Sequence, residues 1–278
     1  MKKMTQKLMI ALALSVASMP AMAVITSSPT KFVPTLMSEE APLRFFVNLD
    51  SSMAFSTVTN GVDYGAGDTT TPSKFGFSNA QLNLGLIYNV GMGLDVGFGV
   101  HGGMQSPYNM FVTPNPAVSD PLKQYGMMFG ADIMVRYLAM LSDMFYAGIQ
   151  AQVGYNYTDT KPGAADSAFT AYSSKSAFNS FIPVVVGVVV GADFAGAASV
   201  YLFPALEMGQ TSNLTNTTAA TTADTGLWKS ALGLQLGVGT AIHTSVGSFV
   251  IQATPRMANF SNANSWGMDT TLGMYWNF

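Results

Sequence analysis

Residues 271–278 read Thr-Leu-Gly-Met-Tyr-Trp-Asn-Phe, and the chain stops on the aromatic. Successive side chains of an extended strand point to opposite faces. Leu272, Met274, Trp276 and Phe278 therefore share one face, and Thr271, Gly273, Tyr275 and Asn277 the other. An exposed terminal strand with one wholly apolar face invites aggregation in water. The same strand is well placed if it closes a barrel whose outer wall meets lipid, because a closed barrel leaves no unpaired edge.

This segment resembles the C-terminal signal of Gram-negative outer-membrane β-barrels, in which a Gly is followed by two spaced aromatics and the chain ends on Phe. Gly273, Trp276 and Phe278 match that pattern, and Leu272 departs from it, standing where a polar residue is usual. The resemblance implies the outer membrane as the location, its lipid as the surroundings, and the barrel-assembly machinery as a partner.

The opposite end agrees. Lys2, Lys3 and Lys7 precede an apolar run from Leu8 to Ala17, and Ala21-Met22-Ala23 closes it. That is the layout of a secretory signal peptide. It predicts a signal over residues 1–23, an irregular leader over 24–41 carrying Pro29, Pro34 and Glu39-Glu40, and a barrel over 42–278. The leader either hangs free on the periplasmic side or enters the lumen. Loss of the three lysines takes the basic count from 12 to 9 against 15 acidic residues, a net charge of −6 in place of −3. Such a balance argues against nucleic acid as a partner. Charged residues make up 10% of the chain, where about a quarter is usual for a soluble domain. There is no cysteine, so no disulfide framework, and the 19 methionines do not pair as soft metal ligands; they read as adaptable apolar filler. No cofactor or metal motif is present.

Period-two alternation between these ends predicts ten strands, near residues 43–55, 78–90, 93–104, 124–138, 144–157, 178–192, 197–209, 227–240, 246–257 and the C-terminal segment. The second is the cleanest: Ala80, Leu82, Leu84, Leu86, Tyr88 and Val90 alternate with Gln81, Asn83, Gly85, Ile87 and Asn89. The sixth is apolar on both faces. Apolar-out, polar-in strands of about ten residues are the signature of a transmembrane barrel, so the fold class is all-β, a closed antiparallel up-and-down barrel of ten strands, with eight or twelve one hairpin away. Links after even-numbered strands are short, and links after odd-numbered strands are long and rich in Ser, Thr, Asn, Gly and Pro. This places the long loops outside the cell and both termini in the periplasm. Aromatics gather at two levels, with Tyr88, Tyr137, Phe145, Trp276 and Phe278 at the turn end and Phe55, Tyr155, Tyr157, Trp228 and Trp266 at the loop end, as interfacial girdles do.

The inward face carries the candidate functional residues. Arg44, Asp95, Asp132 and Arg136 are expected near the turn end, with Asp95 and Arg136 level on neighbouring strands. Glu207, Lys229, Arg256 and Asp269 are expected at one level near the loop end, on strands seven to ten. These charges either pair to satisfy one another in a narrow lumen or form a selectivity ring. Inward glycines, among them Gly85, Gly97, Gly99 and Gly237, leave space, while Met128, Met134, Tyr146, Tyr201 and Phe203 take it up. Two readings follow: a small porin-like channel for ions or small hydrophilic solutes, and a non-conducting surface barrel serving as an adhesin or structural antigen, with a host surface as partner. Catalysis is not expected. His101, placed at the loop end, has no matching acidic pair in the loops, and His243-Thr244-Ser245, with the spacing of a His-x-Ser pair, falls in a short turn.

Overall fold

The computed structural model describes residues 29–37, 40–58, 73–108, 125–161, 177–214, 229–260 and 263–278. Ten strands are formed: β1 (Leu43–Val58), β2 (Ser73–Gly91), β3 (Leu94–Tyr108), β4 (Tyr125–Met140), β5 (Phe145–Lys161), β6 (Ala177–Asp193), β7 (Ala198–Leu214), β8 (Lys229–Thr244), β9 (Gly247–Phe260) and β10 (Ala263–Asn277). Each pairs antiparallel with its sequence neighbours, and β10 returns to β1 to close the barrel. The seam runs in unbroken register from Arg44↔Asn277 to Val58↔Ala263. It is locked at its end by Phe278 N–H donating to the Leu43 carbonyl at 2.7 Å and Leu43 N–H donating back at 3.1 Å.

All ten expected strands are present, but most run several residues further toward the long loops. β2 begins at Ser73 and β7 ends at Leu214, where alternation places the boundaries near 78 and 209. Alternation marks only where one face must be apolar, whereas the backbone ladder continues as long as partner groups are available. Met92 and Gly93 both have positive φ (53° and 80°) in the β2–β3 turn, the geometry of a primed two-residue hairpin turn.

The outer wall is an apolar belt. Leu82, Leu84 and Leu86 of β2, Val96, Phe98 and Val100 of β3, and Ile133 and Val135 of β4 are all exposed. Burying such side chains is favourable by about 1.5–3 kcal/mol each, so a wall of this kind is built for lipid. Tyr88, Tyr137, Phe145 and Phe278 are exposed at the turn end, and Tyr155 and Trp266 toward the loop end. Phe55 and Trp228 belong to the same expected girdle, but the Phe55 side chain and all of Trp228 lie outside what is described.

The interior is packed. Met128, Met134, Tyr146, Tyr201 and Phe203 are buried there. β6 is apolar on both faces for a structural reason: Val186, Val188 and Val190 face outward, while Val185 and Val189 are buried in the same interior cluster as Tyr146, Tyr201 and Phe203.

Candidate functional site: a lumen filled from within

Two expected charges meet as the alternation requires. Asp95 and Arg136 are cross-strand partners, and Arg136 Nη2 and Nε both donate to Asp95 Oδ2, at 2.7 and 2.9 Å. Asn89 donates to the other carboxylate oxygen at 2.9 Å. Arg44 behaves differently. Its guanidinium donates to Asn277 Oδ1, Thr35 Oγ1 and the Leu36 carbonyl, each at 2.7 Å. Its charge is thus met by neutral acceptors, two of them on the segment preceding β1, in charge-assisted bonds stronger than neutral ones.

Asp132 lies deeper than the sequence suggests. It is paired with Gly99 and Gly154, at mid-strand rather than near the turn end, since it stands eight residues before the end of β4 at Met140. His101, expected at the loop rim, is also at mid-strand and buried. The two meet: His101 Nδ1 is 3.2 Å from Asp132 Oδ2. Both are capped by Thr30, whose N–H donates to Asp132 Oδ2 at 3.0 Å and whose hydroxyl lies 3.0 Å from His101 Nδ1.

The outer charge set is only partly as expected. Arg256 Nη2 is 2.6 Å from Glu207 Oε1, and Arg256 Nη1 is 3.3 Å from Asp269 Oδ2. Lys229 is not level with them. It is paired with Thr211, whereas Glu207 is paired with Gly233, so Lys229 sits four residues further out, roughly 13 Å at the rise of a strand. The second cation of the set is Lys31, whose Nζ lies 2.9 Å from Asp269 Oδ2. Asp50, which the charge reading passed over, is also buried in the lumen and accepts from Asn83 at 2.7 Å.

Residues 29–37 supply Lys31 and Thr30. The segment has no regular secondary structure, and Thr30 through Thr35 are buried. Gly97 and Gly99 make room for it: a Cβ at Gly97 would press on the Phe32 ring, and one at Gly99 on the Thr30 side chain. The Phe32 ring meets Phe46 edge-on at 5.5 Å. The space left by Gly97 and Gly99 is therefore taken by the chain itself. A cavity of about 20 Å³ remains beside it, bordered by Gln150, Gln152, Gln235 and Gln252, room for about one water.

The signal for this plug was present in the charges. The described strands bury five carboxylates (Asp50, Asp95, Asp132, Glu207, Asp269) against three guanidiniums (Arg44, Arg136, Arg256). Buried charges must be compensated, and Lys31 narrows that imbalance.

At the short-turn end a further polar group joins four strands. His243 bonds Ser248 Oγ through Nδ1 at 2.7 Å and Ser199 Oγ through Nε2 at 2.9 Å, and Ser199 donates to Asp193 at 2.9 Å. Ser245, the serine of the His-x-Ser spacing, has no bond to His243 among the described residues. The assembly-signal residues sit on the seam: Phe278 is exposed on the outer wall, Trp276 stacks on Phe45 at 5.6 Å, and Gly273 faces Asn48, whose amide a Cβ there would strike.

Comparison with solved structures bears on the fold. The chain superposes on the outer-membrane protease OmpT of Escherichia coli with a TM-score of 0.52 at 8% identity, covering 88% of this chain and 99% of that one. The fold is that of a bacterial outer-membrane β-barrel. The β domain of the Bordetella autotransporter BrkA matches with a TM-score of 0.47 at 15% identity, over 85% of this chain and all of that one. The translocator domain of NalP from Neisseria meningitidis gives 0.41 at 10%, over 98% and 95%. No family model and no curated protein sequence matches the chain. Identities this low speak for architecture and leave activity to the lumen and the loops. The apolar belt and two aromatic levels of this outer-membrane barrel are its lipid-contacting surface.

Proposed function

We propose that this outer-membrane barrel does not conduct in its resting state and works at the cell surface, as an adhesin or structural surface protein, through its long Ser-, Thr- and Asn-rich connections. The single observation that carries this reading is the filled lumen: Thr30 through Thr35 are buried inside the closed barrel. Ten strands are close to the eight at which side chains alone fill a barrel, and here a peptide segment is added to them. The porin-like reading needs a continuous aqueous path, which this packing disfavours. A catalytic reading gains little from His101 and Asp132, because Thr30 caps both. The His243 cluster serves as a clasp between two hairpins.

In this reading residues 1–23 are removed on export, Gly273, Trp276 and Phe278 engage the assembly machinery, and residues 162–176 and 215–228 face outside. Purified full-length protein in a planar bilayer should give no step currents, and steady conductance would restore the channel reading. Epitope tags near Asp166 and Thr217 should be accessible on intact cells, and a tag near Asp143 should not. The reverse pattern would invert the proposed orientation.

A further inference from the structure

We propose that the lumen is a binding site for an extended peptide, and that residues 29–37 occupy it as a resident, exchangeable ligand rather than as part of the wall. The inference rests on the closed-lumen reading above and adds the chemical class that the site recognises.

Seven consecutive carbonyls lie within hydrogen-bond distance of wall side chains. Gln152 donates to the carbonyl of Thr30 at 2.9 Å, Asn48 to Lys31 at 2.8 Å and Gln150 to Phe32 at 3.5 Å. Arg136 donates to Val33 at 2.7 Å and Tyr146 to Pro34 at 3.1 Å. Arg44 reaches Thr35 at 3.4 Å and Leu36 at 2.7 Å. These donors are buried. A row of side-chain donors matched to successive carbonyls recognises main chain, which any extended peptide offers. Two side chains add selectivity: Lys31 through its ion pair with Asp269, and Phe32 through the slot at Gly97 and Gly99.

Exchange is compatible with the fold because the wall closes without this segment. The ladder is complete from β1 round to β10, and residues 29–37 belong to no strand. If they withdraw, the barrel keeps its backbone bonds, and the freed side-chain donors can be met by water. A second peptide of the same character can then bind where the first lay.

The test uses the full-length chain carrying Lys31→Glu and Phe32→Asp, which disables the resident segment and leaves the wall untouched. The probe is a fluorescent synthetic peptide, Ser-Pro-Thr-Lys-Phe-Val-Pro-Thr-Leu-Met, followed by anisotropy with the protein in detergent. It should bind the double variant saturably and at least tenfold more tightly than it binds the occupied wild type. A peptide with Glu in place of its Lys should bind the variant at least tenfold more weakly. Absence of saturable binding to the folded variant overturns the proposal. If the variant does not fold, Val33→Cys in the otherwise cysteine-free chain gives the answer. Excess free peptide should accelerate its reaction with a water-soluble thiol reagent severalfold, and a rate indifferent to peptide overturns exchangeability. Bilayer conductance is read separately, so a wild-type protein that conducts and still shows this competition would sink the closed-lumen reading alone.

Discussion

The inner wall of this barrel has two arcs that solve the same problem in opposite ways. The arc running from β10 through β1 to β5 presents polar donors and acceptors that find their partners on residues 29–37: Arg44, Asn48, His101, Asp132, Arg136, Tyr146, Gln152 and Asp269 all bond or pair with that segment. The arc formed by β6 to β9 meets the same segment through apolar packing instead. Val185, Val189, Tyr201 and Phe203 share one buried apolar cluster with Phe32 and Val33, whereas its polar groups bond one another, as in Tyr201 to Gln252 at 2.8 Å and Arg256 to Glu207 at 2.6 Å. Among the described residues no hydrogen bond runs from β6–β9 to the segment. A barrel of this width can hold a peptide by polar bonds on one side and by apolar packing on the other.

The largest expected effects come from cutting one anchor in each arc. Arg136→Ala leaves Asp95 buried without its cation, a change that costs about 3–5 kcal/mol. Phe203→Ala removes a large buried ring, at about 3–5 kcal/mol. Urea unfolding in detergent should therefore show similar losses for the two. The labelling of Val33→Cys should separate them: Arg136→Ala, which also removes the donor to the Val33 carbonyl, should raise the rate at least tenfold, and Phe203→Ala, which removes one apolar member of the cluster holding Val33, should raise it by a smaller factor. Equal acceleration by both would erase the distinction between the arcs.

A smaller effect is expected from filling a glycine on either side. A valine at position 99 meets Thr30 and Phe32, whereas one at position 237 meets Phe203 and Gln252. Overpacking of this kind costs about 1–3 kcal/mol. Gly99→Val should expel the segment and expose the cysteine at position 33 to the reagent. Gly237→Val should leave it protected at a comparable loss of stability. Protection retained in Gly99→Val would mean that the slot does not define the segment's path.

These contrasts also explain what was legible from the chain alone. The outer wall must be apolar at every second residue across the membrane, so strand number, order and facing were written repeatedly, from Leu82-Leu84-Leu86 to the ending at Trp276 and Phe278. The pairing of Asp95 with Arg136 was legible for the same reason, since both sit close to short turns that fix the register. Depth was less legible far from a turn. β3 runs on past its alternating stretch to Tyr108, which leaves His101 at mid-strand, whereas Asp132 and Lys229 were misplaced because depth follows from the register with the neighbouring strand, Asp132 with Gly99 and Lys229 with Thr211. The leader carried no periodicity at all. Its place is set by side chains meeting a backbone, and carbonyls have no sequence signature. Only the charge imbalance of the lumen, with Asp50 included, pointed to a missing cation.

The smallest expected effect tests that missing cation directly. Lys229 is paired with Thr211 near the start of β8, four residues outward of the Glu207 pairing level. Charges separated by more than about 8–10 Å are largely screened from one another at ordinary ionic strength. Lys229→Glu should therefore change unfolding stability by no more than about 0.5 kcal/mol and leave the labelling at position 33 unchanged. Lys31→Met keeps the length of the side chain and removes the charge that pairs with Asp269. It removes from the buried Asp269 carboxylate a cation 2.9 Å away and leaves Arg256 beside it at 3.3 Å, so it should both destabilise the protein measurably more than Lys229→Glu and speed labelling. If the two substitutions proved equivalent, the outer charge set would extend along the strands to Lys229, and the leader would lose its place as the source of the second cation.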